Sequence, residues 1–528
     1  MENITQHRFE NGRPRPRRYH QARWDEPIIF ELSTPGERGI LVPPAEEDIK
    51  GAAGDVLARL PAGMRRRQAP ALPELSQNRV LRHYLRLSQQ NLGADLNIDI
   101  GQGTCTMKYN PKVNEQLGRQ PKMTELHPRQ HESTVTGILD IMTRMEAILK
   151  DVSGMDRVSF QPRGGSSAIY ANAAIIRAYH ESRGEAGQRD EIITTMFSHP
   201  SDAACAKLCG FKVITLYPGE QGYPSMDALA AVLSERTAGM MITNPEDTGI
   251  FNPDIARMVD MVHQVGGLCA YDQANANGLL GITRARDAGF DLCHFNLHKT
   301  FATPHACGGP AVGAMGVTEA LAPFLPYPVV EASADGPRLA EAGALSIGKV
   351  GAWTGCASIV MRAYAWVMNL GADGLKAVSE MAVLNNNYLM KRLLELPGIE
   401  VPYTGNGPRI EQVRYSWQKL YEETGITTEQ LGLRLADFGQ HYWTSHHPYV
   451  VPQPATLEPT EAYSMKDIDE YVDTLAHVVD EAYRQPELVA SAPHNCPIHQ
   501  INDECLDDPE RWAVTWRGYQ RKLAGRQA

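Results

Sequence analysis

The sequence predicts an α/β fold: a large, mostly parallel sheet followed by a smaller C-terminal α+β domain. Three observations carry this. Between residues 157 and 301, short apolar runs alternate with amphipathic segments. Repeated strand–helix–strand units of this kind build a parallel sheet covered by helices on both faces. Four of the runs end in a polar residue, at His199, Asn244, Asp272 and Lys299. The C-terminal ends of the strands are where such sheets bind ligands. After two apolar helical segments, 353–370 and 374–394, the pattern becomes less regular, which marks a second domain.

Bulk composition narrows the function classes. The 528 residues are 43% hydrophobic and 21% charged, with a net charge of -11, values ordinary for a globular chain of two or three domains. The negative balance argues against nucleic acid as a partner. Two arginine clusters, 13–18 and 65–67, read as solvated arms. No apolar run approaches the roughly 18 residues of a membrane span. The N-terminus is polar and has no signal-peptide core, and the nine cysteines form no CxxC pair. Together these predict reduced thiols and a cytoplasmic location. The 17 histidines form no HExxH, and no metal site is expected.

The elements follow in order. Residues 1–70, rich in Pro, Gly and Arg, are expected to be an extended arm, and 73–91 a helix. Residues 95–114 read as a loop whose Gly and Thr suit a ligand approach. A helix is predicted over 134–150, with Ile138, Ile141, Met142 and Met145 on one face. Strands are predicted at 157–160, 191–197, 212–216, 239–243, 268–271 and 290–297. Helices are predicted between them at 168–183, 202–208, 226–235 and 255–265. Residues 304–316, rich in Gly and Pro, and 332–343 are read as loops. Further helices are expected at 427–438 and 468–483, with a strand near Tyr442 and Trp443. The expected domains are 1–92 (arm and helix), 93–350 (large domain), 351–485 (small domain) and 486–528 (tail).

A lysine closing a strand is ordinarily a surface residue. Lys299 is distinguished by what the other strand ends supply. A buried amine at a sheet end can form a Schiff base with a carbonyl cofactor. Asp272, ending an apolar strand, is placed to pair with a protonated ring nitrogen. His199 can cover a flat ring. Gly164, Gly165, Ser166 and Ser167 form a strand–turn–helix junction whose free amides and helix dipole favour a phosphate. These are the four requirements of pyridoxal 5'-phosphate (PLP). Asn244 and His298, beside the same strand ends, complete the candidate cofactor-binding set with Lys299 as the anchoring amine.

Several strings carry a family resemblance from about residue 28 to 494: Cys105-Thr106-Met107-Lys108-Tyr109-Asn110-Pro111-Lys112, Asn296-Leu297-His298-Lys299-Thr300-Phe301, Thr243-Asn244-Pro245 and Glu458-Pro459-Thr460-Glu461. The sequence resembles the PLP-dependent P-protein of the glycine cleavage system, in the form of its separate second subunit. The resemblance implies fold type I, the aspartate-aminotransferase-like fold. It implies Lys299 as the Schiff-base lysine, Asp272 as the ring-nitrogen partner and His199 as the stacking ring. It further implies glycine decarboxylation, aminomethyl transfer to the lipoyl arm of H-protein, and a homologous first subunit as partner.

Some segments depart from the family strings. A loop resembling AAGAHGE stands here as Arg163-Gly164-Gly165-Ser166-Ser167-Ala168-Ile169. AHGTNPA stands as Ser198-His199-Pro200-Ser201-Asp202-Ala203-Ala204, and the glycine run after Lys299 is interrupted by Ala306, Cys307, Ala311 and Ala314. Two other readings therefore remain open: a stand-alone, homodimeric PLP enzyme on another amino acid (decarboxylase, aminotransferase or lyase), and a non-catalytic scaffold subunit. Arg163 could offer donors to a second acidic group on a larger substrate.

Overall fold

A computed structural model describes residues 9–10, 13–14, 16–17, 19–40, 43–68, 70–93, 96–101, 105–106, 108–304, 310–403, 407–442, 450–497, 499–500, 508, 513 and 515–526. The expected strand residue Trp443, Gln102 to Thr104 of the ligand-approach loop, and Ala306 and Cys307 lie outside them. The chain divides into two compact units, 1–18 with 93–491, and 19–92 with 492–528. In the second unit a helix over Gln77–Gln89 carries His83, whose Nδ1 lies 2.7 Å from the Glu26 carboxylate. There Phe30 stacks on Trp516 at 4.9 Å.

The first unit is built on a seven-stranded sheet. Its strands are β1 (Arg157–Ser159), β2 (Glu191–Thr195), β3 (Lys212–Leu216), β4 (Thr237–Thr243), β5 (Leu268–Gln273), β6 (Leu292–Asn296) and β7 (Gly313–Val317). They lie in the order β1-β7-β6-β5-β4-β2-β3. All neighbours from β6 through β3 are parallel, and β7 runs antiparallel to both β6 and β1. Strands β5, β6 and β7 are buried along their whole length. That explains why β5 and β6 read as apolar runs rather than alternating ones.

Alternate residues serve opposite faces. Met240 and Ile242 of β4, and Cys269 and Tyr271 of β5, face a core shared with α1 (Thr136–Ser153), α4 (Ile255–Gln264) and α5 (Ala357–Leu393). Ala238, Met241, Leu268 and Ala270 face the other core, under α2 (Gly165–Ser182) and α3 (Pro200–Leu208). Helix α1 buries Met142 and Met145 as expected, with Leu139 and Leu149 rather than Ile141 completing the stripe. The two segments expected at 353–370 and 374–394 are one run, α5, broken only at Gly371, whose φ is 66°.

Three readings are corrected. Residues 313–317, read as the end of a loop, form β7. Residues 332–343, read as a loop, contain β9 (Arg338–Ala340), which pairs antiparallel with β8 (Val329–Glu331). The C-terminal region holds an antiparallel pair, β10 (Val413–Ser416) and β11 (Pro454–Leu457), that carries no distinct sequence signal. This pair packs with α6 (Thr428–Ala436) and α7 (Met465–Arg484) around Trp417, Tyr415, Leu431 and Tyr471. Thr427 with Gln430 and Ser464 with Asp467 form capping boxes that start the two helices. No helix among the described residues is long and apolar enough to cross a membrane.

One buried ion pair ties this region to the sheet. Arg414 of β10 meets Asp247, just past β4, and its guanidinium also lies 5.5 Å from the Phe197 ring. Both side chains are buried. Removing one partner strands a charge in the interior. Arg414→Leu is expected to lower the unfolding free energy by about 3–5 kcal/mol in a denaturant titration. A loss below about 1 kcal/mol, the size of an exposed pair, would contradict this role.

Candidate active site

Two adjacent strand ends define the crevice. Asp272, near the end of β5, stands in register with His294 of β6. Its Oδ1 accepts the Ala274 N–H at 2.8 Å and lies 3.2 Å from His294 Nε2. Burial pushes the His294 pKa down, and the Asp272 charge opposes that shift. His294 was not singled out in the sequence. Its signal is a titratable residue inside an apolar run, but only the strand register shows that it faces Asp272.

Lys299 follows β6 by three residues. Its N–H donates to the Asn296 carbonyl at 3.0 Å, and the residue is 7% exposed. Its charge acts on His294, Glu411 and Glu458. His298, one residue earlier, is half-buried.

His199 caps α3. Its Nδ1 accepts the Ser201 N–H at 3.1 Å. Beside it, the Ser198 hydroxyl accepts the Thr243 N–H at 3.0 Å, which ties the ends of β2 and β4 together. Asn244 stands apart from the expected cofactor set. Its Oδ1 accepts the Asn252 N–H at 2.8 Å and its Nδ2 donates to the Asn252 carbonyl at 3.3 Å. Both amide atoms therefore hold the 244–252 loop.

The expected phosphate cradle is the start of α2, which begins at Gly165 rather than at 168. The Ala168 N–H is the first to reach back into the helix, onto the Gly164 carbonyl at 3.0 Å. The amides of Gly165, Ser166 and Ser167 precede it and have no intrahelical acceptor. No acidic side chain occupies this first turn. Gly164 has a φ of 146°, which side-chain-bearing residues rarely adopt. A Cβ on Gly165 would come within 2.7 Å of Asn296 Nδ2. Ser166 Oγ lies 2.9 Å from Ser201 Oγ, so the N-termini of α2 and α3 meet. Two helix dipoles thus favour negative charge at one place.

A second group of site residues escaped the sequence reading. Lys108 Nζ is buried and donates to Glu461 Oε1 at 2.7 Å, to the Thr300 carbonyl at 2.8 Å and to Asn277 Oδ1 at 2.5 Å. It also lies 5.0 Å from the Trp366 ring. Glu458 accepts from the Thr106 hydroxyl at 2.6 Å and from Asn275 Nδ2 at 3.0 Å. Glu411 accepts the Gly278 N–H at 2.7 Å. Burial pushes the Glu411 pKa up to about 7, against the lowering effect of that N–H and of Lys299 and Lys108. Burial raises Glu458 well above the carboxylate range, and the Glu411 charge adds to the rise. The CTMKYNPK and EPTE strings supplied these residues, but their pairing spans about 350 positions.

The residues fit PLP. Asp272 offers a buried carboxylate, Lys299 a buried amine, and the start of α2 a glycine-cleared set of amides. Asn296 Oδ1 is a buried acceptor with no hydrogen-bond partner among the described residues. At the opposite end of the sheet, His263, Cys269 and Asp291 lie within reach of one another. There the Asp291 carboxylate accepts from His263 Nε2 and from the Cys269 N–H, each at 2.8 Å.

A strand order with a single antiparallel member, a carboxylate near the end of β5 and a lysine past β6 define a PLP-dependent enzyme of the aspartate-aminotransferase-like fold. Comparisons with known proteins agree. Residues 163–410 match the family model for aminotransferase class-V, and residues 378–496 match that for glycine dehydrogenase, C-terminal domain. The chain is 42% identical over 504 residues to a probable glycine dehydrogenase (decarboxylating) subunit 2 of Pyrococcus horikoshii, covering 95% of this chain and 98% of that one. It is 40% identical to a protein of the same name from Caldanaerobacter subterraneus, covering 90% and 96%. Among solved structures, glycine decarboxylase (P-protein) of the glycine cleavage system, in inhibitor-bound form, superposes with a TM-score of 0.70 at 19% identity, over 83% of this chain and all of that one. The cysteine desulfurase CsdA of Escherichia coli superposes at 0.55 and 15% identity, over 74% of this chain and 96% of that one. The chain belongs to the glycine dehydrogenase (decarboxylating) subunit 2 family.

The Lys108–Glu461 contact is tested by a double-mutant cycle with Lys108→Met and Glu461→Gln. Unfolding free energies should show a coupling of about 1–3 kcal/mol. Additivity within about 0.5 kcal/mol would remove the pair from the site.

Proposed function

We propose that the chain is the PLP-carrying subunit of a glycine decarboxylase, working with a first subunit and a lipoyl H-protein. One observation carries the reading. A buried lysine and a buried aspartate stand at neighbouring strand ends in a chain 42% identical, over 95% of its length, to a curated second subunit of this enzyme. The "subunit 2" in the relatives' names supports a first-subunit partner. The nine cysteines without a CxxC pair support a cytoplasmic location.

When bound, PLP supplies an aldehyde that condenses with an amine and a protonated ring that accepts the electron pair freed when a carbon–carboxylate bond breaks. The chain's own groups do the rest. The amides of Gly165 to Ser167 and the α2 dipole hold the phosphate. Asp272 keeps the proton on the ring nitrogen. His199 covers one ring face. Lys299 would hold the aldehyde and would carry protons at Nζ. The charge of that amine reaches Glu411 and Glu458 and opposes the effect of burial on them. Asp272, Lys299, Glu411 and Glu458 are buried, so the interactions among them are stronger than in solution.

Purified Lys299→Ala should lose the visible absorbance of bound PLP; unchanged absorbance would sink the anchor assignment. Asp272→Asn should keep cofactor but lower turnover by about 10²–10³-fold, the scale of one misplaced electrostatic partner. Normal turnover would rule out that role. Exchange of labelled bicarbonate into glycine, with the first subunit and H-protein present, tests the reaction itself. Absence of exchange, with exchange into another amino acid, would favour the stand-alone enzyme.

A further inference from the structure

Asp202, in the first turn of α3, is as buried as the core, at 2% exposed. Its Oδ2 has no hydrogen-bond partner among the described residues. Asp272 has the same parity in β5 as Leu268 and Ala270, which face the core under α2 and α3, so it lies on the face of the sheet that carries Asp202, and its charge acts on Asp202. Two buried carboxylates on one face that act on each other cannot both stay ionised cheaply.

The surroundings decide which one keeps a proton. Asp272 has the Ala274 N–H at 2.8 Å and His294 at 3.2 Å. Asp202 has no donor to Oδ2, and the other titratable group on its face of α3, Cys205, is a thiol that burial holds in its neutral form. Lys299, three residues past β6, acts on His294. The proton therefore belongs on Asp202, whose Oδ2 has no donor among the described residues. The family string AHGTNPA has asparagine at this place, a neutral side chain of the same shape.

We propose that Asp202 is a positioning residue for Asp272: it remains a neutral carboxylic acid in the folded protein, so that Asp272 alone presents negative charge to the ring nitrogen. This deepens the PLP reading, but the pair itself exists without cofactor and is tested without it. Failure of the pair would leave the Lys299 and Asp272 assignments standing, and failure of those would leave the pair standing.

The sign is fixed by linkage. Burial and the Asp272 charge raise the folded pKa of Asp202 above its unfolded value. Its contribution is then fully present below the unfolded pKa, about 4, and is lost as pH rises toward the folded pKa. Asp202→Asn removes that loss. Melting curves of the cofactor-free full chain should nearly coincide for the wild type and the variant at acid pH. They should separate as pH rises above about 4, with the variant melting higher. Infrared difference spectra at neutral pH should show a protonated-carboxyl component, beside those of Glu411 and Glu458, that Asp202→Asn removes. In Asp272→Asn the same component should titrate away at lower pH, because its neighbour no longer carries charge. A pH-independent difference in melting, retention of the full carboxyl band in Asp202→Asn, or an unmoved titration in Asp272→Asn would each overturn the proposal.

Discussion

Two lysines and several carboxyl groups occupy one buried region at the C-terminal edge of the sheet. Keeping them out of water sets much of the design around them. A lone buried charge costs several kcal/mol, and the cost falls only when every lone pair and proton finds a partner. The structure meets this demand in two ways. Lys108, Glu461 and Asn277 satisfy one another by direct bonds. Glu411 and Glu458 are pushed toward their neutral forms by burial, so the region holds fewer net charges than its residue types suggest. Backbone groups close the remainder. The Gly278 N–H reaches Glu411, and a Cβ at Gly278 would fall 2.4 Å from the Ile410 side chain.

The same constraint explains the position of the cofactor machinery. Asp272 and His294 lie side by side because β5 and β6 are parallel neighbours in a fixed register. The anchor amine comes next because β6 ends at Asn296 and turns back through Lys299. The proposed phosphate end is different in kind. It offers amides and hydroxyls from two helix starts, which cost no desolvated full charge of their own.

Most of the parallel sheet could be read from sequence, because buried parallel strands are short, apolar and closed by polar residues. β7 could not. Gly313 and Gly316 make it resemble a loop, yet they are there for close approach: a Cβ on Gly313 would meet the Gly164 carbonyl at 2.5 Å, and one on Gly316 would meet Met155 at 3.0 Å. Asp272, Lys299 and the α2 turn were legible because each closes a local pattern. Asn244 shows what a local pattern leaves open. A strand-end polar residue can face the crevice or fasten the next loop, and Asn244 does the second. Lys108 and its partners were hidden because no local pattern joins residue 106 to residue 458. Only the folded chain does.

That long reach has a consequence for how the protein is made. Lys108 leaves the ribosome early and Lys299 midway, but Glu411, Glu458 and Glu461 follow only near the end of the chain. A nascent chain that has finished the sheet still presents Lys108 without its partner Glu461, and both amines without the buried carboxyl groups around them. The cofactor-competent crevice is therefore a late product of synthesis, and a truncated chain that folds its sheet would still lack it.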